Sequence, residues 1–181
     1  MPPARKPSLR RVLDDFDTRD PSGLRAFAAS TPMTDDLASS LLGELSAGGS
    51  DASRSGAAWL LWEYVSNHGW DASDHVPAIA DAISGDHHWN VRLPLVQVLN
   101  ETVCPGSCAQ SAYRALKHNA YDENTFVRAW AIGGLVRLAA DHPRYRRHVT
   151  PLVLDALDDP KASVRARIRR ACAGAGWSPT G

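Results

Sequence analysis

Two short segments of the sequence contain side chain types that bind metals or transfer protons. His87 and His88 are adjacent and precede Trp89, and Cys104 and Cys108 bracket a Pro-Gly-Ser loop. Adjacent histidines point in different directions and cannot form the i,i+4 pair of a helical metal site. A zinc site usually needs four ligands, with a second closely spaced pair, and none follows this loop. We therefore predict no metal site and no cofactor, with a redox pair at the two cysteines as the less favoured alternative.

Tryptophan is frequent, with six residues in 181, and five of them lie on or beside predicted helices. Aromatic side chains with one exposed face often anchor recognition surfaces, whereas buried ones fill gaps between helices. Trp59 and Trp62 are three residues apart and share one helix face, so we favour a core position for Trp59 and leave both alternatives open for Trp62 and Trp89. The hypothesised partner-binding residues are Trp62, Trp89, Trp130, Arg137, His87 and His88.

A repeated pattern indicates which elements position these side chains. The motif D-x-x-x-x-V-R occurs at residues 86–92, 122–128 and 159–165. In a weaker earlier copy, Ser53 and Arg54 occupy the positions of the valine and the arginine, and the aspartate is absent. The four arginines are 38, 36 and 37 residues apart. Periods of 20 to 50 residues are typical of repeat proteins built from stacked units.

Apolar residues recur three and seven positions after each of these arginines, which predicts an amphipathic helix in every copy. A second apolar-periodic stretch precedes each copy, so each repeat contains two helices. We predict pairs at residues 34–46 with 52–67, 75–84 with 89–101, 108–119 with 124–140, and 147–157 with 162–173. Two shorter helices are predicted near residues 8–17 and 21–29. Asn90 is expected to be the N-cap of its helix, which would place Pro94 in the first turn.

The pattern resembles the HEAT repeat family, in which an aspartate in the turn precedes an arginine of the second helix by six residues. Pro151 lies eight residues before Asp159, where that family often has a proline. The resemblance implies an all-α, right-handed α-solenoid of four helix pairs, with the second helices lining a concave face. We further predict an N-terminal helical cap at residues 1–33, an array at 34–176 with repeats at 34–67, 74–101, 107–140 and 145–173, and a short tail at 177–181.

The aspartates and arginines of the motif are predicted to be structural. In HEAT-like arrays the turn carboxylate pairs with an arginine of its own or the next repeat through charge-assisted hydrogen bonds. This interpretation is favoured over a ligand-binding role. The predicted Asp–Arg ladder consists of Asp86, Arg92, Asp122, Arg128, Asp159 and Arg165. Gly133 and Gly134 interrupt the helix after Arg128, and close packing of a neighbouring helix is favoured over contact with a ligand.

Charge is unevenly distributed although the formal net charge is zero. Residues 31–110 carry ten acidic and two basic side chains, whereas residues 111–181 carry six acidic and twelve basic ones. Such a distribution can steer an oppositely polarised partner. No apolar run approaches the length of a membrane span, and charges occupy the place where a signal peptide would be apolar, so we expect no membrane association and a cytoplasmic location. The three cysteines are expected to be reduced.

The predicted function is therefore binding of a protein partner along the concave face, without catalysis. A partner with a basic surface would complement the acidic middle of the chain. One alternative is a nucleic-acid-binding protein similar to the HEAT-like alkylpurine DNA glycosylases, which the acidic middle disfavours because it would repel phosphates. Another alternative is a lyase-like protein that binds a small molecule.

Overall fold

The computed structural model describes residues 8–46, 49–85 and 88–178. Within these ranges the regular structure is helical, and no β-strand is present. The helices are α1 (Leu9–Asp14), α2 (Ser22–Ser30), α3 (Asp35–Ser46), α4 (Asp51–His68), α5 (Val76–Ser84), α6 (Trp89–Glu101), α7 (Ala109–Asn119), α8 (Thr125–Asp141), α9 (Arg146–Leu157) and α10 (Ala162–Gly174). In the same part of the chain, no helix combines the length and the apolarity needed to cross a bilayer.

The helix ends follow from local sequence signals. The Ser50 hydroxyl accepts the backbone N–H of Ser53 at 3.1 Å and so begins α4, and the Asn124 side chain accepts two backbone N–H groups of α8. Gly69 ends α4 with φ 66°, a left-handed conformation that glycine adopts without a Cβ clash. As a result, the eight helices predicted as pairs are present, with each end within one residue of its expected position.

Two expectations about helix ends were wrong. Helix α1 ends at Asp14 rather than near residue 17, because Asp17 and Asp20 accept backbone N–H groups two residues ahead and form turns. Helix α6 begins at Trp89 with His88 as its N-cap, so Asn90 is not the cap and Pro94 is the sixth helical residue. The missing N–H of Pro94 therefore removes one intrahelical hydrogen bond.

The chain divides into two units, and the first comprises residues 1–70. In this unit α1, α2 and α3 each pack on α4. Gly56 allows close packing there, because a Cβ at its position would lie 3.1 Å from the Leu13 side chain. Tyr64 is fully buried, and its hydroxyl donates a hydrogen bond to the Thr31 carbonyl at 2.7 Å. Helix α4 thus forms the centre of the first unit.

The second unit comprises residues 71–181 and contains the helix pairs α5/α6, α7/α8 and α9/α10. Helix α8 contacts α6 on one side and α10 on the other, and α5 contacts α7. The second helix of each pair therefore packs beside the second helix of the next pair. The apolar stripe predicted from the repeat is buried throughout: Ala57, Leu61, Leu95, Leu99, Ala131, Leu135, Ile168 and Cys172.

Candidate partner-binding groove

The repeated aspartates and arginines connect neighbouring helix pairs in the second unit. The Arg92 guanidinium donates to the Asp122 carboxylate at 2.7 and 2.9 Å, and Arg128 donates to Asp159 at 3.2 and 3.3 Å. Arg128 and Arg165 also donate to the backbone carbonyls of the aspartates of their own copies, Asp122 and Asp159, at 2.8 and 2.6 Å. Each bridging arginine therefore bonds across two successive copies of the motif.

These ion pairs are partly shielded from water, with the Asp122 side chain only 6% exposed. Asp86, the first aspartate of the ladder, lies outside the described residues. The connected copies hold the starts of α6, α8 and α10 at a fixed relative position, because charge-assisted bonds to a planar guanidinium constrain direction as well as distance. Three second helices in one row then present equivalent positions to a common surface.

An open groove of about 610 Å³ lies on that surface. Three arginines, Arg137, Arg167 and Arg170, line it together with one carboxylate, Asp141. Most of the other lining residues have small side chains, so a ligand can approach the helix backbones closely. The remaining lining residues are Asn100, Gly133, Ala140, Ala171, Gly174 and Ala175.

Arg167 is held in place by Trp130. Its guanidinium carbon lies 3.0 Å from the centroid of the Trp130 ring, a cation–π contact between α10 and α8. Its Nε is buried and has no hydrogen-bond acceptor among the described residues. Burial and the positive charge of Arg170 lower the pKa of Arg167 to about 10, although Glu101 partly offsets them. The groove thus contains an ordered and partly buried cation.

Arg137 and the two glycines shape the floor of the groove. Arg137 donates a hydrogen bond to the Asn100 carbonyl at 2.9 Å and so links α8 to the end of α6. A Cβ on Gly134 would lie 3.0 Å from a methyl group of Leu116 and would therefore crowd the packing of α7 against α8. A Cβ on Gly133 would instead lie 3.4 Å from the Asn100 side chain and 3.8 Å from Arg167 Nε. Gly133 therefore keeps the floor of the groove open.

The other hypothesised partner-binding residues occupy different positions. Trp62 belongs to the first unit, where it meets Trp59 edge to face at 5.8 Å, and its buried Nε1 has no acceptor within the described chain. Trp89 is 41% exposed at the first turn of α6 and contacts the exposed ring of His88. His87 lies outside the described residues. Of the hypothesised set, Arg137 lines the groove and Trp130 supports it through Arg167.

A second open groove, of about 640 Å³, lies beside the turn between α7 and α8. It combines cations with an aromatic ring, since Tyr121 is 68% exposed there. One of its arginines, Arg92, is already bound to Asp122. The lining residues are Arg92, Arg114, Lys117, His118, Tyr121, Asp122 and Glu123.

The cysteine loop is a packed segment. Cys104 and Cys108 are buried free thiols, and burial raises the pKa of Cys104 to about 11, with a further contribution from Cys108. His142 Nε2 is 2.8 Å from the Cys104 carbonyl oxygen, which ties the loop to the end of α8. No group of three metal-binding side chains occurs among the residues that the structure describes.

Asn100, Arg167 and Arg170 were not among the predicted partner-binding residues. A signal for the two arginines was present in the repeat. Positions are counted here from the arginine of each D-x-x-x-x-V-R copy. Trp130 and Arg167 lie two residues after it, Gly133 and Arg170 lie five residues after it, and Arg137 lies nine residues after it. These spacings place the residues on one helix face, because positions three, four and seven apart are neighbours on a helix.

Comparisons with protein-family models, curated proteins and solved structures found no match to the chain. The fold and the groove define an all-helical protein with an arginine-lined surface on three packed helices.

Proposed function

We propose that the chain is a HEAT-type, right-handed α-solenoid that binds a partner protein along the face formed by α6, α8 and α10. Its D-x-x-x-x-V-R copies coincide with the starts of these helices, and the arginine of one copy bonds to the aspartate of the next. Residues 1–33 form the N-terminal cap in this proposal. Stacked repeats suit extended partners because equivalent positions recur at regular intervals.

The observation that carries the proposal is the presence of unpaired cations in an open groove. Arg167 and Arg170 repel each other, and Glu101 offsets this repulsion at Arg167 only in part. Neither arginine forms an ion pair within 4.0 Å among the described residues. A buried guanidinium nitrogen without an acceptor destabilises a fold, so the Nε of Arg167 calls for a functional explanation, whereas Arg170 is exposed and adds a solvated positive charge beside it. A ligand that supplies the missing acceptor would account for it.

The chemistry of the groove favours binding over catalysis. Its three cationic groups are guanidinium groups, which remain protonated at neutral pH and therefore do not act readily as general acids or bases. They are suited to holding planar anionic groups through paired hydrogen bonds. The proposed role consequently requires no chemical step.

Photo-crosslinking tests this proposal. Benzoylphenylalanine is introduced at Gly174, which lines the groove, or at Ala173, the adjacent exposed residue that does not. Both proteins are irradiated in an extract of the source cells and their adducts are identified by mass spectrometry. We expect an adduct with one defined protein from the variant labelled at position 174 and no such adduct from the variant labelled at position 173.

Charge variants provide the matched control for the same adduct. Arg170→Glu should abolish the adduct, whereas Arg169→Glu should retain it, because Arg169 is exposed on the same helix but does not line the groove. Circular dichroism verifies that both variants are folded. Equal adducts from both positions and both variants would refute the groove as the binding site, and recovery of nucleic acid alone would refute the protein-binding function.

A further inference from the structure

The charge balance of the groove indicates the chemistry of its occupant. Three guanidinium groups line the groove with one carboxylate, Asp141, and Glu101 offsets only part of the positive charge at Arg167. A hydrogen bond to the Asn100 carbonyl already orients Arg137. Arg167 is fixed by the Trp130 ring, so two of the three cations are ordered before a ligand arrives. Ordered donors lose little conformational entropy on binding.

We infer that the groove binds an acidic segment of the partner protein, with its carboxylates at Arg137, Arg167 and Arg170. This inference rests on the proposed function and specifies the partner. A carboxylate matches the forked geometry of a guanidinium group. Its attraction to Arg167 is strengthened because that cation is partly removed from water.

The dimensions of the groove suit a short extended segment. The groove reaches from α6 across α8 to α10, and adjacent helix axes are generally about 8–10 Å apart, which gives a width of about 18 Å. At about 3.4 Å per residue, an extended chain crosses this distance in about five residues. The small residues Ala171 and Gly174 leave room for the main chain of such a segment.

Two features favour an acidic peptide over a nucleic acid. The Trp130 face is covered by Arg167, so this ring does not offer the groove a stacking platform for a base. Asp141 lines the same groove and would repel one phosphate of a continuous backbone. A peptide can place a neutral residue opposite Asp141 and acidic residues opposite the arginines.

Nuclear magnetic resonance titration of the full chain tests the inference. The probe is acetyl-pentaglutamate-amide, with acetyl-pentaglutamine-amide as the uncharged control and a thymidine pentanucleotide as the phosphate control. Arginine Nε–Hε signals report on each guanidinium group separately. We expect pentaglutamate to shift the signals of Arg137, Arg167 and Arg170 to saturation and pentaglutamine to leave them unchanged.

Two matched variants separate groove binding from diffuse attraction. Arg170→Ala should weaken pentaglutamate binding about tenfold, the loss of one charge-assisted contact, and Arg169→Ala should change it less than about twofold. Gly133→Ala should also weaken binding, because the added methyl group enters the floor of the groove without changing its charge.

Several outcomes would overturn the inference. Equal shifts at exposed Arg144, Arg147 and Arg169 would indicate diffuse attraction, and no saturable shift at the groove arginines would exclude an acidic segment. Tighter binding of the pentanucleotide would assign the groove to nucleic acid. Equal shifts with pentaglutamine would refute the acidic nature of the bound segment but not the protein-binding function. That function is tested separately by the cross-link at position 174.

Discussion

The guanidinium group of Arg167 lies on the ring of Trp130, with its carbon 3.0 Å from the ring centroid. The two residues are 37 positions apart, one repeat period, and belong to α10 and α8. The contact therefore joins the same position of two successive repeats. It orients a cation at the edge of the groove and also contributes to the packing of two second helices.

A double-mutant cycle measures the stabilisation from this contact. Arg167→Met and Trp130→Phe should show a coupling of about 1–2 kcal/mol in the free energy of unfolding, since the cation is partly buried. The exposed Arg25, which is 5.7 Å from the Trp59 ring, gives the comparison cycle with an expected coupling of about 0.5 kcal/mol or less. Equal couplings from urea unfolding would contradict this assignment.

The neighbouring glycines of α8 should respond oppositely to alanine. Gly134→Ala should lower the free energy of unfolding by about 1–2 kcal/mol, because its methyl group would crowd the fully buried Leu116. Gly133→Ala should raise it by up to about 1 kcal/mol, because alanine has the higher helix propensity and meets only ordinary contacts. Thermal unfolding of both variants measures these two changes in stability. An equal loss of stability in Gly133→Ala and Gly134→Ala would show that both glycines are needed for packing.

The bridge between Arg92 and Asp122 should stabilise the second unit. Asp122→Ala should lower the free energy of unfolding by about 2–3 kcal/mol, since it removes a buried carboxylate that accepts from the Arg92 guanidinium and from the backbone N–H of Asn124. The exposed ion pair between Arg10 and Asp14 is the control. Asp14→Ala should lower the free energy of unfolding by less than about 0.5 kcal/mol. Denaturant unfolding measures both, and a small effect at Asp122 would mean that water replaces the carboxylate.

The buried thiol of Cys104 should react slowly in the native protein. Burial raises its pKa to about 11 from the ordinary value of 9.0, so at pH 8 its thiolate fraction is about 100-fold lower than in the unfolded chain. Alkylation by iodoacetamide, followed by mass spectrometry, should therefore be at least that much slower in the native protein than in urea. Comparable rates would show that the loop opens frequently.

The same thiol makes stability dependent on alkaline pH. The unfolded thiol releases its proton near pH 9 and the native thiol near pH 11, so its contribution to stability is present below pH 9 and is lost as the pH rises through that interval. The fall in the free energy of unfolding between pH 8.5 and 11 should be smaller in Cys104→Ala than in the wild type. An unchanged slope would assign the alkaline loss to other groups.

Local sequence signals determined the helices and their buried faces. Capping residues such as Ser50 and Asn124 act within three positions, and apolar residues at i, i+4 share a helix face whatever the rest of the chain does. For this reason the pair boundaries and the buried stripe could be predicted without a structure. The aspartate turns after α1 were missed because two side chains competed locally with the helix.

Tertiary packing alone decided how the groove is assembled. Asn100 and Arg137 meet across 37 residues, as do Trp130 and Arg167, and no local rule specifies which faces of two distant helices come into contact. The difference between Gly133 and Gly134 has the same origin, because adjacent residues on a helix point about 100° apart and meet different neighbours. The sequence therefore determined the secondary structure and the buried stripe, and the packing of α6, α8 and α10 determined which side chains share a site.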